Sequence, residues 1–356
     1  MAKKAYIWDG TNWTDIISGS IDLTNYLDST QNQISGNRNL IINGDFRIDQ
    51  RNAGGAQTIT ANAALAYTVD RWYSYATSGS ASTLTGQRIA GSGSDQYYYR
   101  ISSATTANTG WGFGQRIEDV NSIHLAGKSA TLSVSLAATN LTSITWTAYY
   151  ATTTNTFGTV ASPTRTQIAT GTFTVNSSLS RKNATFTVPS GATTGIEILF
   201  TGGQITSGNT VTFSNVQLEA NTFATLFEKR LYATELANCQ RYYYRSGGGL
   251  YTKHGNGIVN AATTSYVITP LPVPLRTLPT TAGVTAGGTT NVIASGCSIY
   301  DGTTSPAITT LAIDNASLTL PSFLATCSAG GITAGRPSFI QSQNSITAFF
   351  SIDVEL

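Results

Sequence analysis

Charge is what this chain has least of. Only 11% of its 356 residues are Asp, Glu, Lys or Arg, where a soluble domain usually carries about a quarter. The formal balance is +2, and the longest basic clusters are Lys3-Lys4 and Lys229-Arg230. Nucleic-acid binding needs a concentrated basic surface to displace counterions, so no nucleic-acid partner is expected. Histidine occurs twice, at His124 and His254, and cysteine three times, at Cys239, Cys297 and Cys327. Cys-x-x-Cys and His-x-x-x-His spacings are missing, which argues against structural zinc. Three cysteines make no disulfide framework; they read as buried thiols, with a Cys297–Cys327 bridge as the alternative. No apolar run reaches 18 residues, so no membrane insertion is expected. No apolar run follows Met1-Ala-Lys-Lys4 either, so no signal peptide is expected.

Yet 40% of the residues are hydrophobic, which is not the composition of a disordered chain. Thr, Ser, Asn, Gln and Gly take the place of charge, as suits strands with a hydroxylated solvent face. Period-2 alternation recurs. Leu132, Val134 and Leu136 alternate with serines, and Ile144, Trp146 and Ala148 with threonines. Phe173/Val175, Phe186/Val188 and Ile196/Ile198/Phe200 continue it. One apolar face per strand, with frequent Gly, Ser and Asn turns, predicts an all-β fold of packed antiparallel sheets. Near Ser214-Asn215 the apolar phase slips from Val211 and Phe213 to Val216 and Leu218, which predicts a β-bulge.

Four segments follow. Residues 1–38 contain a predicted hairpin, Ala5 to Ile16, turning at Asp9-Gly10, then a polar linker. A single hairpin is not stable alone, so it must dock on something. Residues 39–228 hold the alternating strands. Residues 229–245 are the one good helix candidate, with Tyr232, Leu236, Cys239 and Tyr243 as an apolar stripe. Residues 246–356 open on Ser246-Gly-Gly-Gly249, a predicted flexible joint. They continue with further strands and a proline arm (Pro270, Pro272, Pro274, Pro279), and read as a smaller C-terminal β-sandwich. The last strand carries Ile346, Ala348, Phe350, Ile352 and Val354 on one face.

Two phrases frame residues 39–245. The chain opens the region with Asn39-Leu-Ile-Ile-Asn-Gly-Asp-Phe46 and Val69-Asp-Arg-Trp72. It closes it with Phe213-Ser-Asn-Val-Gln-Leu-Glu219, Ala224-Thr-Leu-Phe-Glu-Lys-Arg230 and Glu235-Leu-Ala-Asn-Cys-Gln-Arg-Tyr-Tyr-Tyr-Arg245. This frame resembles bacteriophage structural proteins, where it brackets a jelly roll similar to carbohydrate-binding modules. The N-terminal dozen residues resemble the starts of phage fibre and baseplate proteins, cyanophages included. The resemblance implies a virion appendage, a tail fibre or tail tip. Residues 1–38 would then attach to other virion proteins, and a host cell-surface glycan would be the ligand. It further implies a homotrimer, made in the host cytoplasm and released by lysis in place of export. A head-decoration, head-fibre or baseplate protein without receptor contact is the alternative.

Chemistry is sparse. There is no Gly-x-Ser-x-Gly elbow and no phosphate loop. A glycosidase would need two carboxylates across a cleft, which spacing alone cannot pair among acids such as Asp45, Asp70, Glu118 and Glu197. A non-enzyme is expected, with an enzyme that degrades host polysaccharide as the third reading. The jelly-roll resemblance implies a structural calcium ion with Asn43, Asp45 and Glu219 as candidate oxygen ligands; the alternative for these side chains is capping and turn hydrogen bonds. Sugars are recognised by aromatic faces with neutral hydrogen-bonding groups around them. Alternation turns Tyr98 away from Tyr97 and Tyr99, and sets Tyr149 on the hydroxylated face beside Thr145 and Thr147. Tyr98 and Tyr149 are therefore the candidate glycan-binding residues, with Trp72 and Trp146 as core anchors. Asp70 is expected to pair with Arg116, or Arg71 with Glu118.

Overall fold

A computed structural model describes residues 6–8, 13–15, 38–59, 65–77, 84–287, 296–328, 331–344 and 347–356. Two compact units divide the chain, Met1–Arg38 and Asn39–Leu356. In the first, strands Tyr6–Trp8 and Trp13–Asp15 pair antiparallel, with Trp8 opposite Trp13. The expected Asp9-Gly10 turn and the polar linker lie outside the described residues.

The second unit begins with a jelly-roll sandwich of two six-stranded sheets. The first sheet runs in the order Arg165–Thr174, Ser143–Ala151, Ile196–Gly203, Gly110–Ile117, Trp72–Thr77, Ala66–Val69. The second runs Ser180–Thr187, Ser129–Ala138, Thr210–Glu219, Tyr97–Ser103, Leu84–Ala90, Gln57–Ile59. The apolar positions of the alternating runs meet between them: Leu132, Val134 and Leu136 face Ile198, Phe200 and Trp146 in one buried cluster. At its centre Phe113 stacks on Trp72 (4.7 Å) and on Tyr99 (4.4 Å). Offset aromatic pairs of this kind contribute about 1 kcal/mol each beyond their buried area. Trp72 and Trp146 are core anchors, as their alternation predicts. The bulge at Ser214–Gln217 is present, with Asn215 at φ 51°.

The C-terminal third forms a second sandwich. A six-stranded sheet orders Cys297–Tyr300, Pro337–Ser342, Lys253–Ala261, Thr264–Ile268, Ser322–Cys327, Ile308–Asn315. A three-stranded sheet orders Tyr243–Gly247, Phe349–Asp353, Val284–Gly287. Phe323, Ile340, Phe350 and Ile352 fill the space between them. Ile346, expected on the last strand's apolar face, lies outside the described residues. Cys239, Cys297 and Cys327 are buried free thiols, without a Cys297–Cys327 bridge.

Two expectations need correction. The helix spans Tyr232–Gln240, shorter than 229–245, and its buried residues are Glu235 and Cys239, while Tyr232 is exposed. Glu235 is drawn in by charge: it pairs with Arg230 at 3.0 Å and accepts the Asn43 backbone N–H. Tyr243 of the predicted stripe begins the next strand. Ser246 and Gly247, expected in a flexible joint, lie in that strand, paired with Phe350 and Phe349.

Candidate functional site

The strand Gly110-Trp-Gly-Phe-Gly-Gln-Arg-Ile117 sets up one face of the molecule. Alternation sends Trp111 and Phe113 into the core and leaves Gly110, Gly112 and Gly114 on the outer face of the first sheet. Tyrosines from the neighbouring strand lie down in the space left open. A Cβ at Gly112 would collide with the Tyr75 ring, and one at Gly114 with the Tyr73 ring and hydroxyl. Tyr73, Tyr75 and Leu199 form a small apolar cluster of their own, with Tyr149, Tyr67, Leu65 and Val160 packed against it.

Register extends this cluster into three rows. Tyr75, Gly112, Thr201, Thr145 and Thr172 face one another across five strands, as do Tyr73, Gly114, Leu199, Thr147 and Thr170. The third row runs Arg116, Glu197, Tyr149, Gln167. The outer face thus carries tyrosine rings flanked by rows of threonines, with one buried ionic group at its end. Glu197 is fully buried and receives the Tyr73 hydroxyl at 2.7 Å, Arg116 Nε at 2.9 Å and Arg165 Nη1. The Arg165 guanidinium also lies 4.2 Å from the Tyr149 ring centre. Burial, then the Glu197 charge, holds the Tyr73 phenol well above its usual range, so it stays a donor. Burial works against the charge on Arg165, but Glu197 outweighs it and keeps the guanidinium protonated.

A bulge delivers Arg165 to this face. In Arg165–Thr174 the odd positions Phe173 and Ala169 point to the core. The register then slips, so that Ala148 pairs with Ala169 but Tyr149 with Gln167. Beyond the slip the odd positions Gln167 and Arg165 sit opposite Tyr149 and Ala151, on the outer face. Bulges re-aim side chains in this way near functional surfaces. The strand is mostly Thr, Ala and Gly, so alternation gave no sign of the slip, and sequence reasoning missed Arg165.

The two aromatic candidates are not brought together. Tyr149 belongs to the face just described. Tyr98 is on the outer face of the second sheet, opposite Ile89, with its hydroxyl on Ser92 Oγ at 2.8 Å. The thickness of the sandwich, about 10 Å between sheets, separates them.

Asn43, Asp45 and Glu219 are each engaged locally. Asn43, at φ 58°, donates Nδ2 to the carbonyls of Ile48 and Asp70 and accepts the Ile48 N–H. Asp45 pairs with Arg47 at 2.6 Å. Glu219 accepts Gln217 Nε2, the Thr225 N–H and the Thr225 hydroxyl. Among the described residues no group of three or more His, Cys, Asp or Glu is placed to hold a metal ion.

The framing phrases themselves form a clasp. Arg230 binds the carbonyls of Asn39 and Ile41. Trp72 Nε1 donates to the Asn43 carbonyl, and Gln50 reaches the Tyr243 carbonyl. Arg71 pairs with Glu355 and lies 3.4 Å from the Tyr242 ring centre, while Glu118 takes Arg241 and Tyr242. The expected pairs Asp70–Arg116 and Arg71–Glu118 do not form. Asp70 instead accepts Gln50 and the Arg51 backbone, and Arg116 goes to Glu197. A cavity of about 320 Å³ beside Tyr67, Arg276, Leu278 and Glu355 follows the same seam. Of the two histidines, His254 is buried with both ring nitrogens on serine hydroxyls, those of Ser246 and Ser342; His124 is exposed.

No protein-family model matches the chain, and no curated protein matches it. Solved structures do. One titled as CBM4 structure and function is 17% identical, with a TM-score of 0.32, over 50% of this chain and 98% of that one. TmCBM61 in complex with beta-1,4-galactotriose is 11% identical, with a TM-score of 0.33, over 52% and 99%. The enzymatically active domain of bacteriophage CBA120 tailspike protein 4 is 16% identical, with a TM-score of 0.30, over 51% of this chain and 21% of that one.

Proposed function

We propose that the chain is a non-enzymatic structural component of a phage virion, a tail-fibre or tail-tip protein whose jelly roll binds a host-surface glycan. The glycan would lie on the outer face of the first sheet. The observation that carries the binding reading is the in-register juxtaposition of Tyr75 and Tyr149 with Thr145, Thr147, Thr170, Thr172 and Thr201. Aromatic rings take the apolar faces of a sugar, and the rows of hydroxyls take its polar rim. The virion reading is supported by the framing phrases and their resemblance to phage structural proteins. Residues 1–38 would attach to other virion proteins, and a homotrimer would multiply weak single-site affinity through avidity. A glycan array and adsorption to host cells, run with the whole protein, test the binding. Attachment to phage particles without binding to cells or glycans would leave a structural role alone.

One observation favours the rival reading, a decoration or baseplate protein without receptor contact. Ile258, Tyr266 and Ile268 expose apolar surface on adjacent strands of the C-terminal sheet, as a packing surface within a particle would.

A further inference from the structure

Resting on the glycan-binding reading, we infer that the sugar recognised by the first sheet is acidic and that Arg165 holds its carboxylate. Two guanidinium groups, Arg116 and Arg165, share the single carboxylate of Glu197 on this face. Arg116 has its nitrogens committed: Nε to Glu197, Nη1 to the Leu356 main-chain oxygen at 2.9 Å and Nη2 to the Gly158 carbonyl at 2.8 Å. Arg165 is different. Among the described residues its Nη1 alone makes a hydrogen bond, to Glu197, and Nε and Nη2 have no such partner, on a side chain 14% exposed. Those two nitrogens form the guanidinium edge that grips a carboxylate through parallel N–H groups. Its stack on Tyr149 and its bond to Glu197 fix the plane of that edge before any ligand arrives. The open edge stands beside the tyrosine–threonine surface, so a uronic-acid ring seated against Tyr149 and the threonine rows brings its carboxylate within reach. A neutral sugar would leave that edge of Arg165 without a ligand group, its only ion pair being the one it shares on Glu197 with Arg116.

The test is an array holding neutral xylan, β-glucan and galactan beside polygalacturonate and hyaluronan, each acidic polymer also in carboxyl-reduced form. The whole protein should bind an acidic polymer and lose it on carboxyl reduction. Arg165→Gln should weaken that binding at least about tenfold, the loss of hydrogen bonds to a charged group, with Arg165→Lys between the two. Raising the salt to 0.5 M should weaken it in the unaltered protein, a readout independent of whether the variants fold. Binding to neutral polymers that survives Arg165→Gln but fails in Tyr149→Ala would overturn the acidic ligand and keep the glycan face. No binding to any polymer, or binding indifferent to Tyr149→Ala, would overturn both.

Discussion

Arg71 reaches Glu355 across 284 positions of sequence, and both side chains are almost completely enclosed. Arg71 sits at φ 74° in the turn after Val69, a left-handed conformation that its partners hold in place. Its other contacts are the Arg116 carbonyl at 2.6 Å and the Tyr242 ring. Arg51 adds a second cation to Glu355 at 3.2 Å and binds Asp353 at 2.6 Å. The jelly roll and the last residues of the C-terminal sandwich are thus tied by buried charge. Removing one member of a buried pair leaves an uncompensated ion, at a cost of about 3–5 kcal/mol. Glu355→Gln should lower the urea unfolding free energy by about 3 kcal/mol, and Arg71→Met with Glu355→Leu should restore much of it. A Glu355→Gln variant as stable as the parent would refute the clasp.

Glycine spacing in Gly110–Gly114 makes a graded prediction. At Gly112 a methyl group meets the Tyr75 ring, which is 9% exposed and has no hydrogen bond among the described residues to hold it. At Gly114 it meets Tyr73, which is fully buried and bonded to Glu197, and the Ile198 carbonyl. Overpacking costs typically about 1–3 kcal/mol. Gly114→Ala should fall at or above the upper end, and Gly112→Ala near the lower end with impaired glycan binding. Equal melting temperatures for the two variants would contradict the grading, and melting temperatures equal to the parent's would show that the tyrosines do not lie on the glycines.

His254 supplies a pH dependence. Burial lowers its pKa to about 4, so the folded protein keeps the ring neutral while the unfolded chain protonates near 6.5. Its contribution is complete above about pH 6.5 and is lost as pH falls toward 4, by at most about 3 kcal/mol. Asp70 and Glu355 are raised by burial, against lowering by arginine charge, and so act in the opposite direction. The informative quantity is therefore the difference between the parent and His254→Gln. Urea midpoints measured from pH 7 to pH 4.5 should converge as pH falls, and parallel profiles would contradict the assignment.

Much of the all-β architecture was legible because its strands are half-buried and alternate cleanly. Leu132, Val134 and Leu136 declared their face, and the slip from Phe213 to Val216 declared a bulge. The slip at Ile168 left no trace, since the threonines and alanines around it suit either face. Arg165 therefore went unseen, although Tyr149 beside it did not. Strands such as Lys253–Ala261 were hidden by glycine, asparagine and histidine in their alternation. The helix stripe failed for a different reason: Glu235 is buried by pairing with Arg230, and apolar periodicity says nothing of ion pairs. Nor does spacing show that Arg71 meets Glu355 rather than Glu118, because that choice is made by the packing of two sandwiches.

The outer face of the first sheet is the central claim, and paired tyrosine variants test it most directly. Affinity should be measured for whichever glycan the unaltered protein binds, with Tyr149→Ala and Tyr98→Ala side by side and both confirmed folded. Tyr149→Ala should lose about tenfold or more, the loss of a stacking surface, while Tyr98→Ala on the opposite sheet should bind as the parent does. Loss with Tyr98→Ala and full retention with Tyr149→Ala would contradict the account.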